Sequence, residues 1–362
     1  MRTAQTRGWS LKLTMLSGRR FAVGIDIQPQ GVRAVAMSRA LRGCEDPCIE
    51  HIGLADLPAQ AMHGVEIADA SRVADAIVQA LGAFYTPRIA ASLRVAMAVA
   101  PSVSLVATVP HDPSPALARG RWGRLGPEAL RLDLLEPAVR AHAETLSGIE
   151  HGALALDWWG GDPLDADADQ LTMALASREH IDARIDAAAG AGLQLVAIDI
   201  ESNAALRACR YDAMREIAAD APYAALWLAP QNSYLWMLCG ARTIREWQMA
   251  SYPDLAAVLG DALAACADAA QAYAPRTTFP LDSPDSPALI RGRLAGVFVA
   301  GDPQLLADAG FTIEAIGSAL NCKGFEFDAA CQCESRGPVA LPDIRPAALA
   351  VAFGLALRGV RP

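Results

Sequence analysis

The sequence lacks a long uninterrupted apolar run. No stretch approaches the roughly 18 residues that a membrane-spanning helix needs. The most apolar candidate, residues 347–357, is followed by Arg358 and Arg361, so it predicts a buried helix. The opening stretch, MRTAQTRGWSLKLTMLSGRR, is basic but contains no apolar core of signal-peptide length. These absences predict a protein that stays in the cytoplasm.

Positive charge is also scarce. The chain has 31 Lys and Arg residues against 40 Asp and Glu residues, a net charge of −9. A general nucleic-acid-binding protein needs a basic face to neutralise phosphates, so no nucleic-acid partner is expected. The exception is residues 1–20, a basic tail without an acidic residue. Two interpretations stay open for it: a segment lying on an anionic membrane, or a solvated tail. Its basic residues are Arg2, Arg7, Lys12, Arg19 and Arg20.

The cysteines and histidines do not form a metal-binding pattern. Cys44 and Cys48 have a tolerable ligand spacing, but Cys331 and Cys333 lie too close together for a standard zinc pair. The six histidines are scattered, with no pair at ligand spacing. Eight cysteines in a long cytoplasmic chain are therefore expected to be free thiols, and no metal site is predicted.

One order of elements occurs twice along the chain. Three strand-like runs precede a helix, and a fourth run follows it. The runs are 21–27, 32–38, 49–57 and 93–99 in the first half, and 223–229, 233–239, 243–249 and 296–300 in the second. The first helix carries Val73, Ile77 and Leu81 on one face, with Ser71 as its expected N-cap; the second covers 254–273. This repeat predicts a pseudo-duplicated α/β protein.

Residues 101–176 interrupt the pattern. A stretch rich in Pro, Gly and Arg precedes a predicted helix over 134–146 and predicted strands over 153–159 and 171–176. We interpret this part as an inserted subdomain, after which a helix from Ser177 and a strand over 194–200 resume the first domain. The predicted division is a basic tail (1–20), a first domain (21–100 and 177–218), the insert (101–176) and a second domain (219–362).

Several short segments resemble the PilM family of type IV pilus assembly proteins. GIDI (24–27) followed by GVRAV (31–35) is similar to the family's opening GIDIGSSSVKAVE. The later segments match motifs of the insert (ALDW), of the AGL…AVDIE…LLRA region and of the terminal AVAxGLALRG. They are 155–158, 191–193, 197–201, 206–208 and 348–359, in the family's order. The resemblance implies an actin-like, ribonuclease-H-like two-domain fold related to FtsA, with nucleotide held between the halves.

The departures from the family fall at its nucleotide site. The resemblance places vestigial nucleotide-binding positions at Gly24, Asp26, Gln28, Gly31, Ala229 and Gly301. The family's first loop is glycine followed by serines, whereas here Pro29, which has no N–H to offer a phosphate, stands between two glutamines. The second loop, Asp-Ile-Gly-Ala-Thr in the family, aligns with 227–231, where Trp227 replaces the carboxylate expected to organise magnesium. At the Gly-Gly pair of the adenosine side, Asp302 follows Gly301.

These substitutions predict a pseudo-ATPase without catalytic residues or a cofactor. ATP with magnesium is disfavoured, although weak nucleotide binding stays open. Asp26 either keeps a role as a magnesium ligand or, the favoured interpretation, caps the hairpin turn. The family also carries a small lobe before the long helix of its second half. Here Met249 is followed almost at once by that helix, so this lobe is expected to be reduced.

What the resemblance implies is a non-enzymatic scaffold at the inner face of the inner membrane. Its partner would be the cytoplasmic N-terminal tail of a PilN-like membrane protein, lying in a groove between the first domain and the insert. Leu156 and Trp158 are the candidate groove residues. Because neighbouring strand residues point to opposite faces, one of Trp158 and Trp159 is expected to reach the surface. Other pilus assembly and motor proteins are further expected partners. Two alternatives remain: an ATP-binding or ATP-hydrolysing actin-like phosphotransferase, and a cytoplasmic lobe of a type II secretion system.

The three other tryptophans of the second half are expected to be structural. Trp227, Trp236 and Trp247 lie on the predicted strands of that half. An aromatic binding strip is one interpretation of this spacing, but burial in the core is the favoured one.

Overall fold

The computed structural model describes most of the 362-residue chain. The described residues are 18–41, 46–86, 93–110, 132–160, 170–251, 254–273, 293–328, 333–334 and 344–360. The greater part of the basic tail, with Arg2, Arg7 and Lys12, lies outside them. Arg19 and Arg20, which were assigned to that tail, belong to the first strand instead, where the Arg19 guanidinium Nε donates to the hydroxyl of Ser38 at 2.9 Å.

The first domain is built on a five-stranded sheet. Its strands are β1 (Arg19–Gln28), β2 (Gly31–Ala40), β3 (Cys48–Asp56), β6 (Arg94–Val99) and β10 (Leu195–Ile200). The spatial order is β10-β6-β1-β2-β3, with β1 antiparallel to β2 and parallel to β6. The middle of β1 is buried without interruption, as expected for a strand covered on both faces. Two short strands, β4 (Met62–His63) and β5 (Glu66–Ile67), form a separate ladder.

Helices α1 (Ala70–Leu81) and α3 (Arg178–Gly190) pack together against one face of this sheet. The N-cap of α1 is Asp69, whose carboxylate accepts from the backbone N–H groups of Ser71 and Arg72 at 3.1 Å. The expectation that Ser71 caps this helix is therefore wrong by two residues. An ionised carboxylate at an N-cap interacts favourably with the helix dipole as well as with the free N–H groups.

The second domain repeats the first. Its sheet contains β11 (Pro222–Leu228), β12 (Asn232–Cys239), β13 (Arg242–Ala250), β14 (Val297–Gly301) and β15 (Gly324–Glu326). Their order is β13-β12-β11-β14-β15. Read from the opposite edge, the first sheet has the same order, β3-β2-β1-β6-β10, so each strand has a counterpart. One face packs on α5 (Leu255–Ala272), α6 (Pro303–Asp308) and α7 (Ile313–Ala319). The duplication read from the sequence is confirmed, and so is the burial of Trp227 and Trp236, while Trp247 is half-buried.

The insert is a small sheet covered by one helix. It contains β7 (Ser104–Pro110), α2 (Leu132–Ser147), β8 (Leu154–Gly160) and β9 (Gln170–Ser177), with the antiparallel order β7-β9-β8. Val139 and Ala143 of α2 pack on Leu154, Met173 and Leu175, which covers one face of the sheet. The chain then passes from β9 straight into α3. In the second domain, by contrast, β13 ends at Ala250 and α5 begins at Leu255, so no lobe is inserted there.

Helix α5 contradicts the expectation that no stretch of the sequence is long and apolar enough to span a membrane. Within the described ranges it is the one helix long and apolar enough to cross a membrane by length and composition, with a mean hydropathy of 1.3. The sequence had indicated no such stretch. Leu255, Leu259 and Leu263 nevertheless pack in the core of the second domain, beneath β11 and β12. Core helices of folded domains pass the same test, so α5 carries no conclusion about a membrane.

Two further helices join the halves. Helices α4 (Glu201–Glu216) and α8 (Ala350–Val360) pack on each other between the sheets. Helix α8, the last element of the chain, lies against β1, β2 and β6 of the first domain, while α4 lies against β11 and β14 of the second. Residues of both sheets and both helices form one continuous apolar core. Each domain is therefore completed by a helix that follows the other domain's last strand.

Glycines permit the close approach of α8. A Cβ at Gly354 would lie 1.9 Å from the carbonyl oxygen of Ala204 in α4, and a Cβ at Gly24 would lie 1.9 Å from the carbonyl oxygen of Ala352. Neither neighbour is a flexible side-chain end, so a methyl group could be admitted only by moving backbone. Gly24, assigned from the sequence to the nucleotide site, thus packs against α8.

We expect Gly354→Ala to destabilise the protein by about 2 kcal/mol or more, since overpacking against rigid backbone commonly costs roughly 1–3 kcal/mol. Gly260→Ala in α5 is the matched control, because nothing lies within 4 Å of the added Cβ. There the change should stabilise the protein by about 0.5–1 kcal/mol through helix propensity. Urea unfolding measures both. Equal effects at the two positions would contradict the close packing of α8.

Candidate functional site

The β1–β2 and β11–β12 turns, which the resemblance aligns with the family's phosphate loops, face each other across a small cavity. Gln28, Pro29 and Gln30 from the β1–β2 turn line one side, and residues 229–232 line the other. The cavity has a volume of about 70 Å³. Ligand sites in proteins typically measure about 300–1,000 Å³. The space between the loops is therefore well below that range.

A polar network of the chain's own side chains lies at the base of this cavity. The buried carboxylate of Asp26 accepts from Gln28 Nε2 at 2.8 Å and from Arg33 Nη1 at 3.3 Å. Gln28 Nε2 also lies 3.4 Å from Glu201 Oε1, at the start of α4. The expectation that Asp26 caps the hairpin turn is wrong, because its described partners are side chains. Arg33 continues the network to the second domain by donating to the carbonyl oxygen of Ala348 at 3.1 Å.

Arg184 brings a buried positive charge to the same place. Its side chain is 1% exposed and donates from Nε to the carbonyl oxygen of Ala98 at 2.5 Å and from Nη1 to that of His180 at 2.9 Å. Burial lowers the pKa of Arg184 to about 10, although the neighbouring acids Glu201 and Asp26 raise it. A guanidinium with that pKa stays charged at neutral pH. Its positive charge therefore compensates one negative charge on the two neighbouring acids, Asp26 and Glu201.

Glu201 is the group most perturbed by this arrangement. Burial, and then repulsion from Asp26, raise its pKa to about 8, against the attraction of Arg184. At neutral pH the carboxyl is therefore largely protonated, as expected for a buried acid with a second acid nearby. Sequence reasoning gave no role to either Arg184 or Glu201. A charged residue between Ile181 and Ile185 in α3 was the available signal for Arg184.

The six vestigial nucleotide positions do not converge on one site. Gln28 and Ala229 border the small cavity. Gly31 packs against the carbonyl oxygen of Ala55, 2.5 Å from where a Cβ would stand. Gly301, with φ of +98°, allows β14 to approach Leu228 and borders a separate cavity of about 250 Å³. Asp302, beside it, caps α6 by accepting from the N–H of Gln304 at 2.9 Å.

A larger cavity lies elsewhere, between the insert and the first domain. This groove has a volume of about 810 Å³. One wall is the face of the insert sheet that α2 leaves uncovered; the other is formed by β10 and α4, with Arg358 of α8 and the β12–β13 turn at one end. Strands β8 and β10, both at the edges of their described sheets, border it. Its lining includes Ala155, Trp159, Ala174, Ile198, Leu206 and Met214.

The two adjacent tryptophans take opposite roles to those predicted. Trp158 is half-buried and packs in the core of the insert, together with Leu154 and Leu156. Trp159 is 47% exposed and lines the groove. Contrary to the expectation from the sequence, Trp158 therefore does not line the groove between the insert and the first domain. Alternation along the strand predicted that one indole is exposed, but the side of the sheet covered by α2 decides which one. Leu156 packs on the insert core and borders the groove at its edge.

Arginines line the opposite wall. The carboxylate of Asp199, 7% exposed, accepts from Arg207 Nη2 at 2.8 Å and from Arg358 Nη1 at 3.0 Å. Burial alone would raise the pKa of Asp199, but the two guanidinium groups outweigh it and hold the pKa below its usual value. Arg210 also lines this wall and donates to the hydroxyl of Thr243 at 2.8 Å. The groove thus combines an apolar sheet face with a basic wall.

The raised pKa of Glu201 generates a prediction for pH dependence. The native state keeps a proton that the unfolded chain releases above the group's ordinary pKa of 4.5, so the stability linked to this group is lost as pH rises towards about 8. Glu201→Gln, which resembles the protonated form, should flatten the loss of melting temperature between pH 5 and pH 8.5.

The matched control is Asp212→Asn, because burial raises the pKa of Asp212 to about 6. That substitution should flatten the profile only below about pH 6. Thermal melts across this pH range, followed by circular dichroism, check both variants. A Glu201→Gln profile with the same slope as the unaltered protein would contradict the proposed protonation of Glu201.

Comparison with known proteins identifies the fold. No protein-family model and no curated protein matches the sequence. A solved structure described as the PilM-PilN type IV pilus biogenesis complex is similar at a TM-score of 0.63 and 18% identity, covering 94% of this chain and 99% of that chain. The cytoplasmic domain of EpsL from the Vibrio cholerae type II secretion system has a TM-score of 0.42 at 8% identity, covering 93% and 95%. A Bacteroides thetaiotaomicron protein with an actin-like ATPase fold also scores 0.42, at 7% identity and covering 88% and 96%. The chain has an actin-like fold, and its structure is PilM-like.

Proposed function

We propose that the protein is a non-enzymatic scaffold that binds the extended N-terminal tail of a PilN-like inner-membrane protein. The observation that carries the proposal is the contrast between the two cavities. The groove beside the insert measures about 810 Å³ and is lined by the exposed indole of Trp159. The space between the β1–β2 and β11–β12 turns measures about 70 Å³. The larger of these two cavities lies where the resemblance implies a bound peptide.

The groove has the features of an extended-peptide site. A strand edge offers backbone N–H and C=O groups to an added strand, and pockets beside it receive alternate side chains. Edge strand β10 borders the groove, and apolar side chains of Ile198, Leu206 and Trp159 flank it. Small residues at Ala155 and Ala174 leave space above the insert sheet. An extended segment entering here would gain backbone bonds and bury apolar side chains together.

The choice of a PilN-like partner rests on the shared fold and the resemblance of the sequence motifs. One solved structure with the same fold is described as a complex of PilM with PilN. A scaffold of this kind would be cytoplasmic and held at the inner face of the inner membrane by its partner. It would connect that partner to other pilus assembly and motor proteins.

The absence of enzymatic activity is part of the same proposal. Besides its small volume, the cavity between the loops contains Pro29 and Pro230, neither of which has an N–H for a phosphate oxygen. Asp26 and Glu201 are held by Gln28, Arg33 and the field of Arg184, so the carboxylates already have partners within the chain. These residues do not fit ATP with magnesium, and we propose that binding of a partner has replaced hydrolysis.

We expect purified protein to show no ATP turnover above the blank. Losing one transition-state donor typically costs about 10²–10³ in rate, and here both loops are altered, although such losses are not additive. A coupled phosphate-release assay with ATP and magnesium makes the measurement. Turnover that disappears in Asp26→Ala would refute the proposal of a pseudo-ATPase.

We expect Trp159→Ala to weaken binding of the partner tail about tenfold or more, since buried aromatic anchors dominate such interfaces. The probe is a synthetic peptide with the N-terminal tail of the inner-membrane protein encoded beside this one, titrated by fluorescence anisotropy. Val106→Ala is the control: this valine is 44% exposed on the same small sheet but does not line the groove. Absence of binding at high micromolar peptide would remove the main support for a scaffold.

A further inference from the structure

Given the proposed function, on which this inference rests, we infer that the bound tail carries a carboxylate side chain recognised by Arg358. The groove's basic wall is anchored on one buried acid, Asp199, which two arginines share. One of these arginines has donors left over and faces the groove. The bound segment would then be extended, partly apolar and acidic at one position.

Arg207 is committed to the fold. Its Nη2 donates to Asp199 at 2.8 Å and its Nη1 donates to the carbonyl oxygen of Gly354 at 3.0 Å, so it links α4 to α8 as well as to β10. Its side chain is 22% exposed. Using this guanidinium for a ligand would break contacts that hold the two halves together.

Arg358 is placed differently. Its Nη1 lies 3.0 Å from Asp199, and the side chain is 42% exposed on the groove wall. A guanidinium presents five N–H donors in a rigid fork, and the described polar partner of Arg358 is this one carboxylate. Asp199 therefore fixes the direction of the side chain while its outer edge stays available for a bidentate bond. That fork geometry matches a carboxylate.

The charges that line the groove support the same occupant. Among the described residues that line the groove, Arg207 and Arg358 come from one wall, and the acids are Asp199 and Asp157. Asp199 is already saturated by two guanidinium groups, and Asp157 lies on the opposite, insert wall. The wall formed by α4 and α8 is consequently left with excess positive charge. A negatively charged side chain is the complement that restores balance there.

The arrangement also predicts where the carboxylate lies in the tail. The basic wall comes from α4 and α8, whereas Trp159 belongs to the insert wall facing them. Successive side chains of an extended segment point to opposite sides. The acidic residue and the apolar residue that contacts Trp159 should therefore stand at an odd spacing, one or three positions apart.

The test uses the full-length protein and the synthetic tail peptide described above, together with a peptide whose acidic residues are replaced by the corresponding amides. We expect Arg358→Gln to weaken binding of the original tail about 10- to 100-fold and to leave binding of the amide peptide unchanged. Arg358→Lys should retain part of the affinity, since it keeps the charge but loses the fork. Raising NaCl from 50 to 500 mM should weaken binding by the unaltered protein more than binding by Arg358→Gln.

Arg140→Gln is the matched control, because Arg140 is 40% exposed on α2, paired with Glu136 and outside the groove. Melting temperatures verify that each variant is folded; Arg207 still pairs with Asp199 in Arg358→Gln. If the tail binds and Trp159→Ala weakens it but Arg358→Gln does not, the inference is overturned and the scaffold proposal stands. A tail without Asp or Glu that binds independently of salt also overturns it. Failure of the unaltered protein to bind the tail overturns both.

Discussion

The packing of α8 against β1 and α4 is the constraint on which the molecule depends. The terminal helix approaches both elements so closely that Gly354 and Gly24 have no room for a Cβ. Because α8 follows the second domain's sheet but lies on the first domain's, and α4 does the reverse, neither half completes its core alone. Residues from both halves therefore belong to a single apolar core, which fixes how the sheets face each other.

The fixed position of the two sheets sets the size of the two cavities described above. With the sheets joined by α4 and α8, the two loops between the domains enclose a space of about 70 Å³. Beneath it, Gln28 and Arg33 bond to Asp26, and the charge of Arg184 lies near Asp26 and Glu201. The same helices contribute the basic wall of the larger groove, since Arg207 comes from α4 and Arg358 from α8. Closing one cleft and shaping the other are thus consequences of one packing arrangement.

Much of the architecture was readable from local patterns. Strand runs, their repeated order and the short connection between Met249 and the helix beginning at Leu255 all follow from hydrophobic periodicity and turn residues, which act within a few positions. The loss of N–H groups at Pro29 is likewise a property of the residue itself. Local patterns also left one helix start ambiguous. Both Asp and Ser are common N-caps, and in the structure Asp69, not Ser71, caps α1.

By itself, the sequence determined the element order, the duplication and the presence of an insert. Only the tertiary structure decided that Trp159 and not Trp158 faces the groove, because alternation gives two faces and the position of α2 chooses between them. It also decided that Arg184 meets Glu201 and Asp26, and that Asp199 is shared by Arg207 and Arg358. These pairs join residues far apart in the chain. Their charges balance only after the helices are packed, so no local pattern encodes them.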